Sequence, residues 1–269
     1  PEWRMLGNMI PLADENPAHT RPYVVYVLII LNVLVYAVDR MGAQGPFGAL
    51  YNWSMVPYSL VNNTGIVQKF PIPYGPVVRV FSVTYEGLDP MWLTVFTSMF
   101  MHGSLMHIGG NLLYLWIFGN NIEDALGHAK FIVFYLACGV LAALAHVLSD
   151  INSQIPTVGA SGAIAGVLGA YLLLYPGATI RSLVFLGFFV TFVDLPAIVV
   201  LGMWFVIQLT GVLGTGMEVG GGVAYWAHIG GFAAGAVIIY LLGGGSLTRR
   251  RRYARRLPPQ RPYPFRPWR

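Results

Sequence analysis

Residues 157–176 read TVGASGAIAGVLGAYLLLYP, an uncharged run whose small residues recur at helical spacing. At 1.5 Å of rise per residue, a run of this length covers most of a hydrocarbon core of about 30 Å. Gly162 and Gly166 leave one face on which a second helix backbone can come close. Ser161 sits at the head of the run, between Gly159 and Gly162. A hydroxyl there is either a hydrogen bond between helices or a reactive group with room cleared around it.

The surrounding chain sets the solvent. Of 269 residues, 56% are hydrophobic and only 10% charged, against roughly 25% charged in a soluble domain. Six apolar runs are long enough to cross a bilayer, near residues 22–38, 93–119, 129–148, 159–175, 197–213 and 224–243. A further stretch, SLVFLGFFVTFV at 182–193, is short and runs into Asp194 and Pro196. It suits an interfacial or re-entrant segment better than a span. The expectation is an all-α membrane protein, a six-helix bundle with both termini cytoplasmic and a long outer loop between the first two helices. Arg4, Arg21, Lys130, Arg181 and the nine arginines after Leu247 then lie inside, so 13 of 16 basic residues obey the positive-inside rule. The chain divides into a cytoplasmic segment at 1–21, the membrane domain at 22–246 and a basic, proline-rich tail at 247–269.

That tail carries most of the net charge of +5. Arginines directly after a span anchor the helix end at an anionic leaflet, and no nucleic-acid module accompanies them, so no nucleic-acid partner is expected. Its prolines favour disorder. Cys138 is the sole cysteine and is expected to pack in the third span. Asp39 and Arg40 follow the first run where a cleavage site would need small residues, so that run is expected to stay as a signal anchor. The connection at 41–92 is expected on the outer surface, half embedded, with its aromatics at headgroup level. Internal repeats are absent, which argues against a transporter.

Polar groups inside the spans are unevenly placed. His102, His107 and Asn111 fall in HGSLMHIGGN near the outer end of the second span, Ser161 starts the fourth, and His228 lies in the outer part of the sixth. His107 and Asn111 are four apart and share a helix face. In the six-span topology all five occupy one depth. Taken alone, GASGAIAG and AHIGGFAAG are small-residue packing faces, and His128 and His146 stay with a structural reading. Packing alone gives no reason for a hydroxyl, an imidazole and an amide to meet at one level in a water-accessible cavity.

Acyl transfer suits that set. A serine hydroxyl needs a neighbouring base, histidine is the usual base near neutral pH, and Ser161 with His228 supply the pair. The tetrahedral intermediate needs donors, available from Asn111, a His107 ring nitrogen and the Ser161 N–H. Gly159 and Gly162 would open the helix start to a substrate carbonyl.

Over residues 10–243 the chain resembles the rhomboid intramembrane serine proteases, of prokaryotic type and minimal six-helix form. The resemblance rests on FMHGSLMHIGGNLLYLWIFGNNIEDALG, GASGAIAG and AHIGGFAAG, in that order, and on IPLADENPAHTRPYVVYVLIILNVLVY at the first helix. It implies Ser161 as nucleophile, His228 as general base, His107 and Asn111 as oxyanion stabilisers, and His102, Gly159 and Gly162 as structural residues of the cavity. It also implies cleavage of transmembrane protein substrates in or beside the bilayer of the plasma (inner) membrane, with no metal and no nucleotide. Residues 214–227 would cap the site, and the fifth span would be a lateral gate. Two departures stand out. Trp92 is followed by Leu93 where many members have an arginine, and Ala165 occupies a place where some members set an aromatic against the imidazole. No carboxylate is placed to orient His228.

Other chemistries fit less well. A zinc protease needs HExxH, and no histidine here precedes glutamate. Asp194 is the single credible carboxylate for an aspartyl mechanism. A noncatalytic relative that binds client transmembrane helices is the remaining alternative, although such relatives lack the serine or the histidine.

Overall fold

A computed structural model describes residues 9–42, 50–74, 77–186, 189–215, 224–244 and 246. The basic tail and most of the expected cap at 214–227 lie outside them. Among the described residues eight helices dominate: α1 (Tyr23–Met41), α2 (Pro57–Asn62), α3 (Leu93–Thr97), α4 (Leu105–Leu126), α5 (His128–Ser149), α6 (Ser161–Leu174), α7 (Ala197–Thr215) and α8 (Tyr225–Leu241). By length and composition α1 and α5 suffice to cross a membrane, and α6, α8 and Ala197–Leu213 of α7 are shorter apolar helices.

The chain is mostly helical, as expected, but not wholly so. The described residues include five strands: β1 (Met9–Asp14), β2 (Ile66–Tyr74), β3 (Val77–Tyr85), β4 (Thr179–Leu186) and β5 (Phe189–Pro196). Of residues 182–193, expected to be interfacial or re-entrant, 182–186 and 189–193 fall in the antiparallel β4–β5 pair, and β1 adds to β4 to make a three-stranded sheet. Open sheet edges are not tolerated in hydrocarbon, so this sheet belongs at the end of the bundle. Thr, Val and Phe recur along the pair, residues that fit a pleated surface better than a helix. The long connection at 41–92 is likewise more ordered than a loop. It contains α2 and the β2–β3 hairpin, and Tyr85, fully buried, donates to the Ser54 carbonyl at 2.6 Å. Trp53 and Trp92 remain exposed there.

The run at 93–119, expected as one span, is broken. Helix α3 passes through a 3-10 turn at Ser98–Phe100, and α4 starts afresh at Leu105. The Ser104 hydroxyl accepts the His107 N–H at 3.2 Å, the N-cap bond that starts a helix at this point. Helix α4 then continues past 119 to Gly127, which has φ +80°. That extension brings Glu123, fully buried, onto the first N–H groups of α1. Val24 and Val25 donate to its two oxygens at 2.9 and 2.8 Å, and His128 Nδ1 lies 2.5 Å from Oε1. An anion at a helix N-terminus is favoured by the unpaired amides and the dipole. Asp14 joins β1 to the bundle, accepting from Asn121 and the Tyr171 hydroxyl at 2.7 Å each.

Helix α6 is the centre. Gly162 to Tyr171 are all buried, as suits a helix apolar on every side, and α4, α5 and α8 pack around it. Cys138 of α5 is buried against it as a free thiol. Outward, Val27, Ile30, Leu34 and Val38 of α1 and Val133, Leu144 and Leu148 of α5 are exposed. Apolar belts of that extent on a monomer call for lipid rather than water.

Candidate active site

Helices α6 and α8 cross with their backbones in contact. A Cβ on Gly231 would collide with the Gly162 carbonyl, one on Gly235 with the Gly166 carbonyl, and one on Gly169 with the Phe232 carbonyl. This close approach aligns the first turns of the two helices. Ser161 Oγ and His228 Nε2 are consequently 2.8 Å apart, although 67 residues separate them in the chain. Both are half-buried, so the pair is reachable from outside the core.

Gly159 and Gly162 differ in what they clear. Gly159 has φ +128°, and a Cβ there would stand 2.8 Å from His107 Nε2 and 3.5 Å from Ser161 Oγ. Its bare backbone keeps open the space between those two groups, while its N–H donates to the Ser98 carbonyl at 2.9 Å. The missing Cβ of Gly162 instead faces Ala142 of α5, at 2.7 Å. Gly162 therefore serves the packing of α6 on α5 rather than the opening of the site.

His107 and Asn111 sit one turn apart on α4, His107 half-buried and Asn111 buried. The Asn111 Nδ2 has no protein partner among the described residues. A buried donor left open costs about 1–3 kcal/mol, so this amide is set up to receive an acceptor. His102 lies in the break before α4, fully enclosed, with its Nε2 3.5 Å from the Ala160 N–H. Its ring meets His107 edge-on at 5.0 Å between centroids. It braces both the residue before Ser161 and the His107 ring.

A rhomboid domain is matched over residues 89–245, the part that holds all of these groups. The chain belongs to the rhomboid family. It is 37% identical over 92 residues to rhomboid protease GluP of Bacillus subtilis, covering 34% of this chain and 17% of that protein. It is 34% identical over 97 residues to the mitochondrial rhomboid protein 1 of Saccharomyces cerevisiae, covering 35% and 28%. To the mitochondrial presenilin-associated rhomboid-like protein of Homo sapiens it is 34% identical over 94 residues, covering 34% and 24%. The chain thus matches less than a third of the length of each of these relatives.

Within this rhomboid fold, α7 contributes two residues that the linear pattern did not single out. Gln208, buried, places Oε1 2.8 Å from His228 Nδ1 and donates from Nε2 to the Trp204 carbonyl at 3.1 Å. The Trp204 ring lies 5.7 Å from the imidazole, tilted by 37°. An aromatic wall for His228 therefore comes from a different helix, while Ala165 is buried in the core. An amide inside an otherwise apolar run was the available signal. Its partner depends on how α7 leans on α8, which no local pattern carries. His128 lies with Glu123 at the opposite end of the bundle, away from this cluster.

Proposed function

We propose that this rhomboid is an intramembrane serine endopeptidase that cleaves transmembrane protein substrates in or beside the bilayer. The 2.8 Å contact between Ser161 Oγ and His228 Nε2 carries the reading. Ser161 Oγ attacks the scissile carbonyl carbon while its proton passes to His228 Nε2. The negative oxygen of the tetrahedral intermediate is received by Asn111 Nδ2, the His107 ring and the Ser161 N–H at the head of α6, where the helix dipole adds positive potential. Collapse breaks the C–N bond, and the imidazolium returns its proton to the leaving amine. Water, deprotonated by the same imidazole, then releases the acyl group from Ser161.

The arrangement of this reading in the membrane is six spans, residues 22–246, in the plasma membrane, with residues 1–21 and the tail from 247 cytoplasmic. The 13 of 16 basic residues on one side support it. In proteoliposomes with a single-span reporter, Ser161→Ala and His228→Ala are each expected to abolish cleavage. A serine-directed phosphonate should label the wild type and neither variant. Undiminished turnover by the Ser161→Ala protein would refute the proposal, and client binding indifferent to both changes would favour the noncatalytic alternative.

A further inference from the structure

We propose that Gln208 is a positioning residue that selects the reactive tautomer of His228, an inference that rests on the peptidase reading above. The bonds leave one consistent assignment of donors. The Trp204 main-chain carbonyl can only accept, so the Gln208 atom 3.1 Å from it is the amide nitrogen. That fixes which way the carboxamide points. Its oxygen then faces His228 Nδ1 at 2.8 Å and can only accept as well. Nδ1 must carry the hydrogen, and Nε2 is left with its lone pair toward Ser161 Oγ at 2.8 Å.

The opposite tautomer would put a proton between Nε2 and the nucleophile and leave two acceptors facing each other at Gln208. A buried unmatched pair of that kind is disfavoured, since neither group recovers the hydrogen bond it would make in water. The chain of bonds ends on a backbone carbonyl of α7, so its polarity is set by the helix rather than by a mobile side chain. Trp204, one turn before Gln208, packs beside the imidazole at 5.7 Å and also stacks on Phe232 at 6.1 Å. Ring orientation and proton location are thus both supplied by α7. When the imidazole becomes charged during attack, the amide oxygen still accepts from Nδ1, so the bond persists through the step.

The test compares Gln208→Met, which keeps length and apolar packing but has no acceptor, with Gln208→Glu, which keeps an acceptor of the same shape toward Nδ1 while giving up the donation to the Trp204 carbonyl. Cleavage of the single-span reporter is followed in proteoliposomes beside wild type and Ser161→Ala. Gln208→Met is expected to lower kcat about 100-fold, the scale of a misdirected general base, with KM within about twofold of wild type, as expected when binding is untouched. Gln208→Glu should turn over faster than Gln208→Met but fall short of wild type, because it accepts from Nδ1 and can no longer donate to the Trp204 carbonyl. A purely structural role predicts the reverse order, because a carboxylate disturbs an apolar helix more than a thioether does. Gln208→Leu serves as a second apolar variant should the methionine protein fail to fold. Wild-type turnover lost in Ser161→Ala but unchanged in Gln208→Met or Gln208→Leu overturns the assignment of Gln208 alone. Absence of turnover and of phosphonate labelling in the wild type overturns the peptidase reading and this inference with it.

Discussion

Asn111 concentrates what a single side chain can do here. Its carboxamide is buried on the inner face of α4, and its Nδ2 lacks a partner among the described residues. If that donor receives the oxyanion, Asn111→Ala should lower kcat about 10²- to 10³-fold with little change in KM. Reporter cleavage normalised to folded protein would check it; a purely structural Asn111 would cost thermal stability and leave turnover per folded molecule intact. The identity of such residues was legible in the chain, because polar groups in apolar runs stand out. Their pairing was only partly legible. Ser161, His107, Asn111 and His228 could be drawn to one depth by counting residues, whereas Gln208 needed the lean of α7. Gly159 and Gly162 looked equivalent in sequence, and only the positions of His107 and Ala142 separate them.

At the scale of elements, the α6–α8 crossing governs the distance between nucleophile and base. In an isolated helix, replacing glycine by a larger residue gains up to about 1 kcal/mol of helix propensity. At Gly235 the same change drives a side chain into the Gly166 carbonyl, and overpacking of this kind costs about 1–3 kcal/mol or more. Gly235→Leu should therefore lower the unfolding temperature in detergent and abolish cleavage together. Gly202→Leu, at a position where an added Cβ meets nothing, should be tolerated in both measurements. Retention of activity and stability by Gly235→Leu would show that the crossing is looser than its backbone contacts imply. The crossing itself was readable as a small-residue motif. The break at 101–104 and the β4–β5 pair were not, because an apolar run looks alike as span, turn or strand until Ser104 caps α4 and β1 pairs with β4.

Across the whole molecule, the proposed six-span arrangement predicts on which side of the membrane each exposed segment lies. With Cys138 replaced by alanine, a cysteine at Asn62, exposed in α2, should react with an impermeant maleimide added to intact cells. One at Glu15, exposed just after β1, should react only after permeabilisation. Labelling of both from the same side would reject the six-span topology with an outer loop at 41–92. By itself the sequence determined the solvent, the approximate helices and the residue types available for chemistry, because hydropathy and residue identity are local properties. Tertiary structure alone decided the strands, the interrupted second run, the separate tasks of Gly159 and Gly162, and the partner of His228 Nδ1. Each of these depends on which distant backbone comes within hydrogen-bonding or van der Waals reach, and that is fixed by helix crossing and strand pairing rather than by neighbours in the chain.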